Sequence, residues 1–252
     1  MSIVVILSFL LLTGVAAYLQ TVTGFAFGLV VMGIVGLTDL IPIPDAAIMV
    51  SVFSFVNAVQ MLARHWRLVV FSQVALLMAA SIPMIAVGFW LLEYFADTSI
   101  SMLKVILGLA IVVSSFQLLR VPTIEKGQPG LLRTLFHGGL GGLMSGMFST
   151  GGPPVVYHFY AQRLPAAAIR VSLVAIFAAT GVIRMSLVLA AGTFPEPKLW
   201  PCFLAFFTVV AGTSIAQRFP PPIEPRVMRM IVVGLLVVSG ISLAAAGAAV
   251  LL

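Results

Sequence analysis

The chain has 252 residues, 62% hydrophobic and only 8% charged, with a mean hydropathy of +1.21. Soluble domains carry about 25% charged residues, so the composition excludes a soluble protein and defines a single integral membrane domain. The net charge of +6 is carried in short loops between apolar runs, which reads as an orientation signal and not as a nucleic-acid surface; the lone Cys202 excludes a disulfide framework and a cysteine-rich metal site.

The chain is apolar from Ile3 with no Lys or Arg before it, unlike a cleaved leader with a basic first region, so this stretch is read as the first membrane element. Residues 1–38 contain no charge. One crossing needs about 20 residues, so this run is too long for one and short for two plus a turn. Gln20, Thr21, Val22, Thr23 and Gly24 form a small polar interruption inside it. Asp39, Pro42, Pro44 and Asp45 then mark a loop. Apolar segments follow at 46–63, 68–92 and 99–119, separated by a basic loop (Arg64, His65, Arg67) and an acidic one (Glu93, Asp97). A hydrophilic connector runs from Arg120 to Arg133 at the midpoint.

The uncharged stretch from His137 to Tyr160 contains Ser149-Thr150-Gly151-Gly152-Pro153-Pro154. A helix cannot continue through Gly-Gly-Pro-Pro, because proline lacks an N–H and its ring crowds the preceding turn. The pattern predicts one helix ending near Ser149 and another starting at Pro153, where proline suits the first helical position.

The second half repeats the first. The run from Pro44 to Ser51, PDAAIMVS, matches that from Pro165 to Ser172, PAAAIRVS, at six of eight positions. Lys104–Leu109 resembles Met230–Leu235, and Thr23-Gly24 falls opposite Thr150-Gly151. Charge placement then chooses a topology. With eight straight crossings, Lys and Arg divide evenly between the two sides. If residues 1–38 and 134–162 each enter and return on one side, the clusters 64–67, 120–133, 163–170 and 218–229 share a side and hold ten basic residues. The other side keeps Lys104 and Lys198 with Asp39, Asp45, Glu93, Asp97 and Glu196. The positive-inside rule prefers the second arrangement. The expected fold is therefore all-α, with two inverted-topology repeats. Each repeat is a broken or re-entrant helical hairpin plus three transmembrane helices, giving eight long apolar segments. Repeat 1 covers 1–120, the linker 121–132 and repeat 2 133–252. Both termini are expected outside, with Arg64, Arg120 and Arg218 cytoplasmic.

A returning half-helix exposes backbone N–H groups that have no intrahelical partner and carries the positive end of the helix dipole, which suits an anion. The candidate substrate-binding residues follow from this. At the second break they are Ser149 and Thr150 as hydroxyl donors, Gly151 and Gly152 for close backbone approach, and Pro153. At the first break they are Thr21, Thr23 and Gly24. The glycines 138, 139, 141, 142 and 146 serve either the site or close helix packing. Arg184 lies fourteen residues beyond Arg170 on one helix, about 21 Å at helical rise; it either faces the interior as a functional cation or snorkels to the headgroups. Asn57 and Gln60 either face the break or bond a neighbouring helix. His158 is either a proton relay or a bonded interior histidine. No embedded carboxylate pair, metal spacing, nucleophile constellation or nucleotide loop is present, so no cofactor and no enzymatic role are expected.

With these features in place, residues 141–173 (GGLMSGMFSTGGPPVVYHFYAQRLPAAAIRVSL) and, more weakly, 23–32 and 44–51 resemble the sulfite exporter TauE/SafE family of membrane permeases. The resemblance spans the chain. It implies a secondary transporter of the bacterial inner membrane for a small sulfur oxyanion or organosulfonate such as sulfite, sulfoacetate or thiosulfate. The expected partners are that small anionic substrate and the lipid bilayer, with no nucleic acid, and a homo-oligomer is compatible with the sequence. A passive anion channel or a non-transporting membrane assembly subunit is the alternative. The first tip reads Thr-Gly-Phe-Ala-Phe-Gly in place of a glycine cluster, and the second has Pro-Pro.

Overall fold

The computed structural model describes residues 2–119, 129–219 and 225–251, so the connector from Arg120 to residue 128, and the topology expectation for Arg120, lie outside the described residues. Ten α-helices account for nearly all of it: α1 (Ile3–Thr23), α2 (Ala26–Thr38), α3 (Ile43–His65), α4 (Phe71–Thr98), α5 (Ile100–Leu119), α6 (Leu131–Phe148), α7 (Gly152–Tyr160), α8 (Ala166–Ala191), α9 (Ala205–Arg218) and α10 (Pro225–Leu251). No strand occurs among the described residues. Short 3₁₀ segments lead out of α3 (Trp66–Leu68) and into α9 (Pro197–Leu204).

Seven stretches among the described residues are long and apolar enough to cross a membrane. The sequence expectation was eight long segments. The difference lies in the hairpins. Their returning arms α2 and α7 have 13 and 9 residues, about 20 and 14 Å, against a hydrocarbon core of about 30 Å. The incoming arm α6 carries five glycines, Arg133 and His137 in 18 residues, which lowers its apolarity below that of a full span.

Local chemistry sets the helix ends. Ser2 caps α1, accepting from the Val5 N–H at 3.4 Å. Gly24 ends it in the left-handed region (φ +89°), its N–H bonded to the Gln20 carbonyl at 2.6 Å. Pro42 precedes α3 and Pro165 precedes α8, while Pro44, the partner of Pro165 in the repeated motif, is the second residue of α3. Asp45 in the first turn of α3 and Arg64 and His65 in its last turn complement the helix dipole.

The helices associate in crosswise pairs: α4 lies along α6, α1 along α9, α5 along α10 and α3 along α8. In lipid such pairs are held by close packing instead of by expulsion of water. A Cβ on Gly142 would sit 2.5 Å from the Ser81 carbonyl oxygen, one on Gly138 would strike the Leu77 carbonyl, and one on Gly146 would strike that of Ile85. These three glycines, four residues apart, bring α6 onto the α4 backbone. Ser81 locks the seam by donating to the Gly138 carbonyl at 2.8 Å. For these three glycines the structure selects packing.

Two water-accessible clefts open at opposite ends of α3. One, ≈ 470 Å³, is lined by Arg64, His65, Arg170 and Gln217 among others. The other, ≈ 810 Å³, is lined by Ser2, Asp39, Asp97, Glu196 and Lys198 among others. The start of α1 thus lies at the acidic end. So does the end of α10, since Gly247 packs against Ser101 at the start of α5.

Candidate functional site

The two chain breaks lie against each other inside the bundle. α6 stops at Phe148, Ser149 adopts a left-handed conformation (φ +55°) and α7 begins at Gly152 with Pro153 as its second residue. The sequence expectation placed the restart one residue later. A Cβ on Gly152 would lie 3.7 Å from Phe25, which with Gly24 separates α1 from α2. One turn into α2, Gly28 has no room for a side chain, because a Cβ there would meet the Ser149 carbonyl oxygen at 2.7 Å.

Around the second break, polar side chains from three helices converge with Ser149 of the break itself. Ser149 donates to the Ala47 carbonyl at 2.7 Å and shares a 2.7 Å hydroxyl contact with Ser51 on α3. Arg184 reaches in from α8. Its Nε donates to the Gly146 carbonyl at 2.9 Å and its Nη1 to Ser51 Oγ at 3.4 Å, while the buried Nη2 has no partner. Its Cζ stands 5.9 Å from the Phe89 ring centroid, within cation–π range. Arg184 is 1% exposed, so the snorkelling alternative is excluded. No carboxylate among the described residues lies within ion-pair distance of it, although Glu93 acts on it through space. Ser51, Ser54, Ser145, Ser149, Thr180 and Arg184 enclose a cavity of ≈ 10 Å³, about the room of one water. The arrangement is a small donor-rich chamber with one uncompensated guanidinium, and a buried cation without a counter-ion costs several kcal/mol.

A second polar cluster adjoins the first. Asn57 on α3 is fully buried and bridges three helices: its Nδ2 donates to Thr213 Oγ1 at 2.7 Å, Thr21 Oγ1 at 2.9 Å and the Ala17 carbonyl at 3.3 Å. Gln20 Nε2 donates to Asn57 Oδ1 at 3.1 Å, and Gln20 Oε1 accepts from the Phe27 N–H at 3.2 Å, which caps the start of α2. Gln60 turns instead to Ser214 and the Val210 carbonyl on α9.

Of the residues singled out from sequence, Ser149 and Arg184 share the chamber, and Thr21 and Asn57 share the adjoining cluster. Thr23 bonds back to the Leu19 carbonyl at the first break, and Gly24 lies against Arg170. Thr150 contacts Gly28, and Gly151 is filled on its open side by Ser145 and the Gly141 carbonyl. Pro153 is buried in the first turn of α7. His158 is buried, with Nε2 3.3 Å from Gln73 Oε1. Sequence reasoning missed Ser51, Ser54, Ser145, Thr180, Gln20 and Thr213. A signal for the first two was present: Ser51, Ser54 and Asn57 recur every three residues along an otherwise apolar helix, a polar stripe on one face.

Fold and site together define a polytopic helical membrane protein built around two interrupted helices and a buried cationic chamber. The family model for the sulfite exporter TauE/SafE matches residues 9–243, and the chain belongs to that family, whose members are transporters and not enzymes. Two relatives place it further. It is 32% identical over 235 residues to the probable sulfite/organosulfonate exporter TauE of Cupriavidus necator, covering 92% of this chain and 91% of that one. It is 30% identical over 110 residues to the probable inner membrane transporter protein TsaS of Comamonas testosteroni, covering 42% of this chain and 44% of that one. No solved structure matches it.

Proposed function

We propose that this protein is a secondary transporter of the bacterial inner membrane that carries a small sulfur oxyanion or organosulfonate by alternating access around the Arg184 chamber. The observation that carries this reading is the guanidinium itself: 1% exposed, with a free Nη2 and no carboxylate at ion-pair distance among the described residues, beside five hydroxyl groups at a helix break. Buried ionisable groups within membrane helices pair with something or serve a solute path. A sulfonate or sulfite supplies the missing negative charge and several acceptor oxygens. Ser149, Thr150, Gly151, Gly152 and Pro153 form the second break, and Thr21, Thr23, Gly24 and Asn57 the half-site at the first. The relative named as a sulfite/organosulfonate exporter, matched along nearly its full length, supports the substrate class.

The repeats 1–120 and 133–252 are related by inverted topology in this reading. The crosswise pairing supports it: exchanging the halves turns α1–α9 into α6–α4 and returns α3–α8 and α5–α10 to themselves. The cleft with Arg64 and Arg170 opens to the cytoplasm and the cleft with Ser2, Asp39 and Asp97 to the outer side, as the positive-inside rule directs. Both termini then lie outside. The chamber holds no more than a water-sized void, so this conformation is closed and must expand to admit a solute.

Purified protein should gain thermal stability with sulfite, sulfoacetate or thiosulfate, and not with plain carboxylates. In proteoliposomes flux should be saturable. A non-saturating flux would favour a channel, and no stabilisation by any sulfur oxyanion would remove the substrate assignment.

A further inference from the structure

The ≈ 470 Å³ cleft at the basic end falls within the size range of ligand pockets. Arg64 and Arg170 line it from α3 and α8, with Thr21, His65 and Gln217. Arg64 Nη1 donates to Gln217 Oε1 at 3.2 Å and Arg170 Nη1 to the Val22 carbonyl at 3.4 Å, and neither guanidinium meets a carboxylate among the described residues. Arg170 also fixes the first break, since its Cγ would lie 3.1 Å from a Cβ on Gly24. From this cleft a string of buried polar side chains runs to the Arg184 chamber. Thr21 lines the cleft and accepts from Asn57 at 2.9 Å; Asn57 accepts from Gln20 at 3.1 Å; Gln20 donates to Ser54 at 3.4 Å; and Ser54 lines the chamber.

Resting on the transport reading above, we infer that the cleft between Arg64 and Arg170 is a second docking site for the same oxyanion class, and that the string Thr21–Asn57–Gln20–Ser54 is the closed gate between it and the chamber. Two guanidiniums facing a water-accessible cleft concentrate anions at its mouth. The gate side chains satisfy one another while shut. When the breaks separate, Asn57 Nδ2 and Gln20 Nε2 become donors to a passing oxyanion. Arg64 and Arg170 thus act on capture, and Arg184 on deep binding.

The experiment separates the two sites. In zwitterionic nanodiscs, Arg184→Leu protein titrated with sulfoacetate should retain a weak, strongly salt-dependent binding phase. Adding Arg64→Gln and Arg170→Gln should weaken that phase at least tenfold, and Arg64→Lys with Arg170→Lys should keep it. In flux assays, the double Gln variant of the otherwise unaltered protein should raise KM about fivefold or more, by a larger factor than any change in kcat. No binding by Arg184→Leu protein that is still folded, or a KM unaffected by the double substitution, would overturn the docking site. Loss of the weak phase on moving to anionic lipid would assign the cleft to lipid phosphates and overturn it equally. If Arg184→Leu instead binds sulfoacetate as tightly as the unaltered protein, the deep-site reading fails while the cleft test stands.

Discussion

Replacing Arg184 by methionine separates function from stability in a way that a purely structural arginine would not. A bound oxyanion in contact with the guanidinium, at about 4 Å and an effective dielectric near 20, gains about 4 kcal/mol. At about 1.4 kcal/mol per decade, Arg184→Met should weaken sulfite or sulfonate binding by about three orders of magnitude and abolish measurable flux. The fold should not suffer in proportion. The substitution forfeits hydrogen bonds to Gly146 and Ser51, about 1 kcal/mol each, but it also removes a buried charge whose desolvation costs several kcal/mol. The melting temperature should therefore stay level or rise. Arg184→Lys keeps the charge but not the planar fork and should fall between the two in affinity. The assays are flux of sulfite into proteoliposomes and thermal melts of the same preparations in detergent. Normal flux by Arg184→Met would refute the site. So would a collapse of stability with affinity for the remaining folded fraction intact, which would make the arginine structural.

Three further outcomes follow from the packing and the polar network. Gly142→Ala places a methyl 2.5 Å from the Ser81 carbonyl oxygen. That overpacking should cost about 1–3 kcal/mol, a fall of roughly 2–12 °C in Tm. Gly234→Ala, where nothing lies within 4 Å, should leave Tm level or raise it. Asn57→Leu breaks four hydrogen bonds and, at about 0.6 kcal/mol each in membrane proteins, should cost about 2 kcal/mol in melts and slow flux as well. For topology, single cysteines at Gln217 and Asp97 in a Cys202→Ala background should be labelled from opposite sides of sealed membranes, Gln217 from the cytoplasm; labelling from one common side would overturn the assigned orientation.

The breaks were legible in the sequence because they are local events. Proline without an N–H next to paired glycines stops a helix whatever surrounds it, and Thr-Gly at the end of an apolar run marks a left-handed cap. The duplicated motif and the segregation of basic from acidic loops were legible for the same reason, since both are read along the chain. The partners of Arg184 were not. Its distance from Arg170 along α8 gives a depth, but whether it turns to lipid or to Gly146 and Ser51 depends on which helices flank α8. The glycines of α6 were equally ambiguous until α4 was found against them, because a small residue serves a ligand or a neighbouring backbone alike. Ser51, Ser54, Asn57 and Gln20 became one polar path only when α3 was set between the two hairpins. The sequence by itself determined where helices start, stop and break, through backbone chemistry confined to a few residues. Only the tertiary structure decided which polar groups face one another, because that follows from crosswise pairing of helices far apart in the chain.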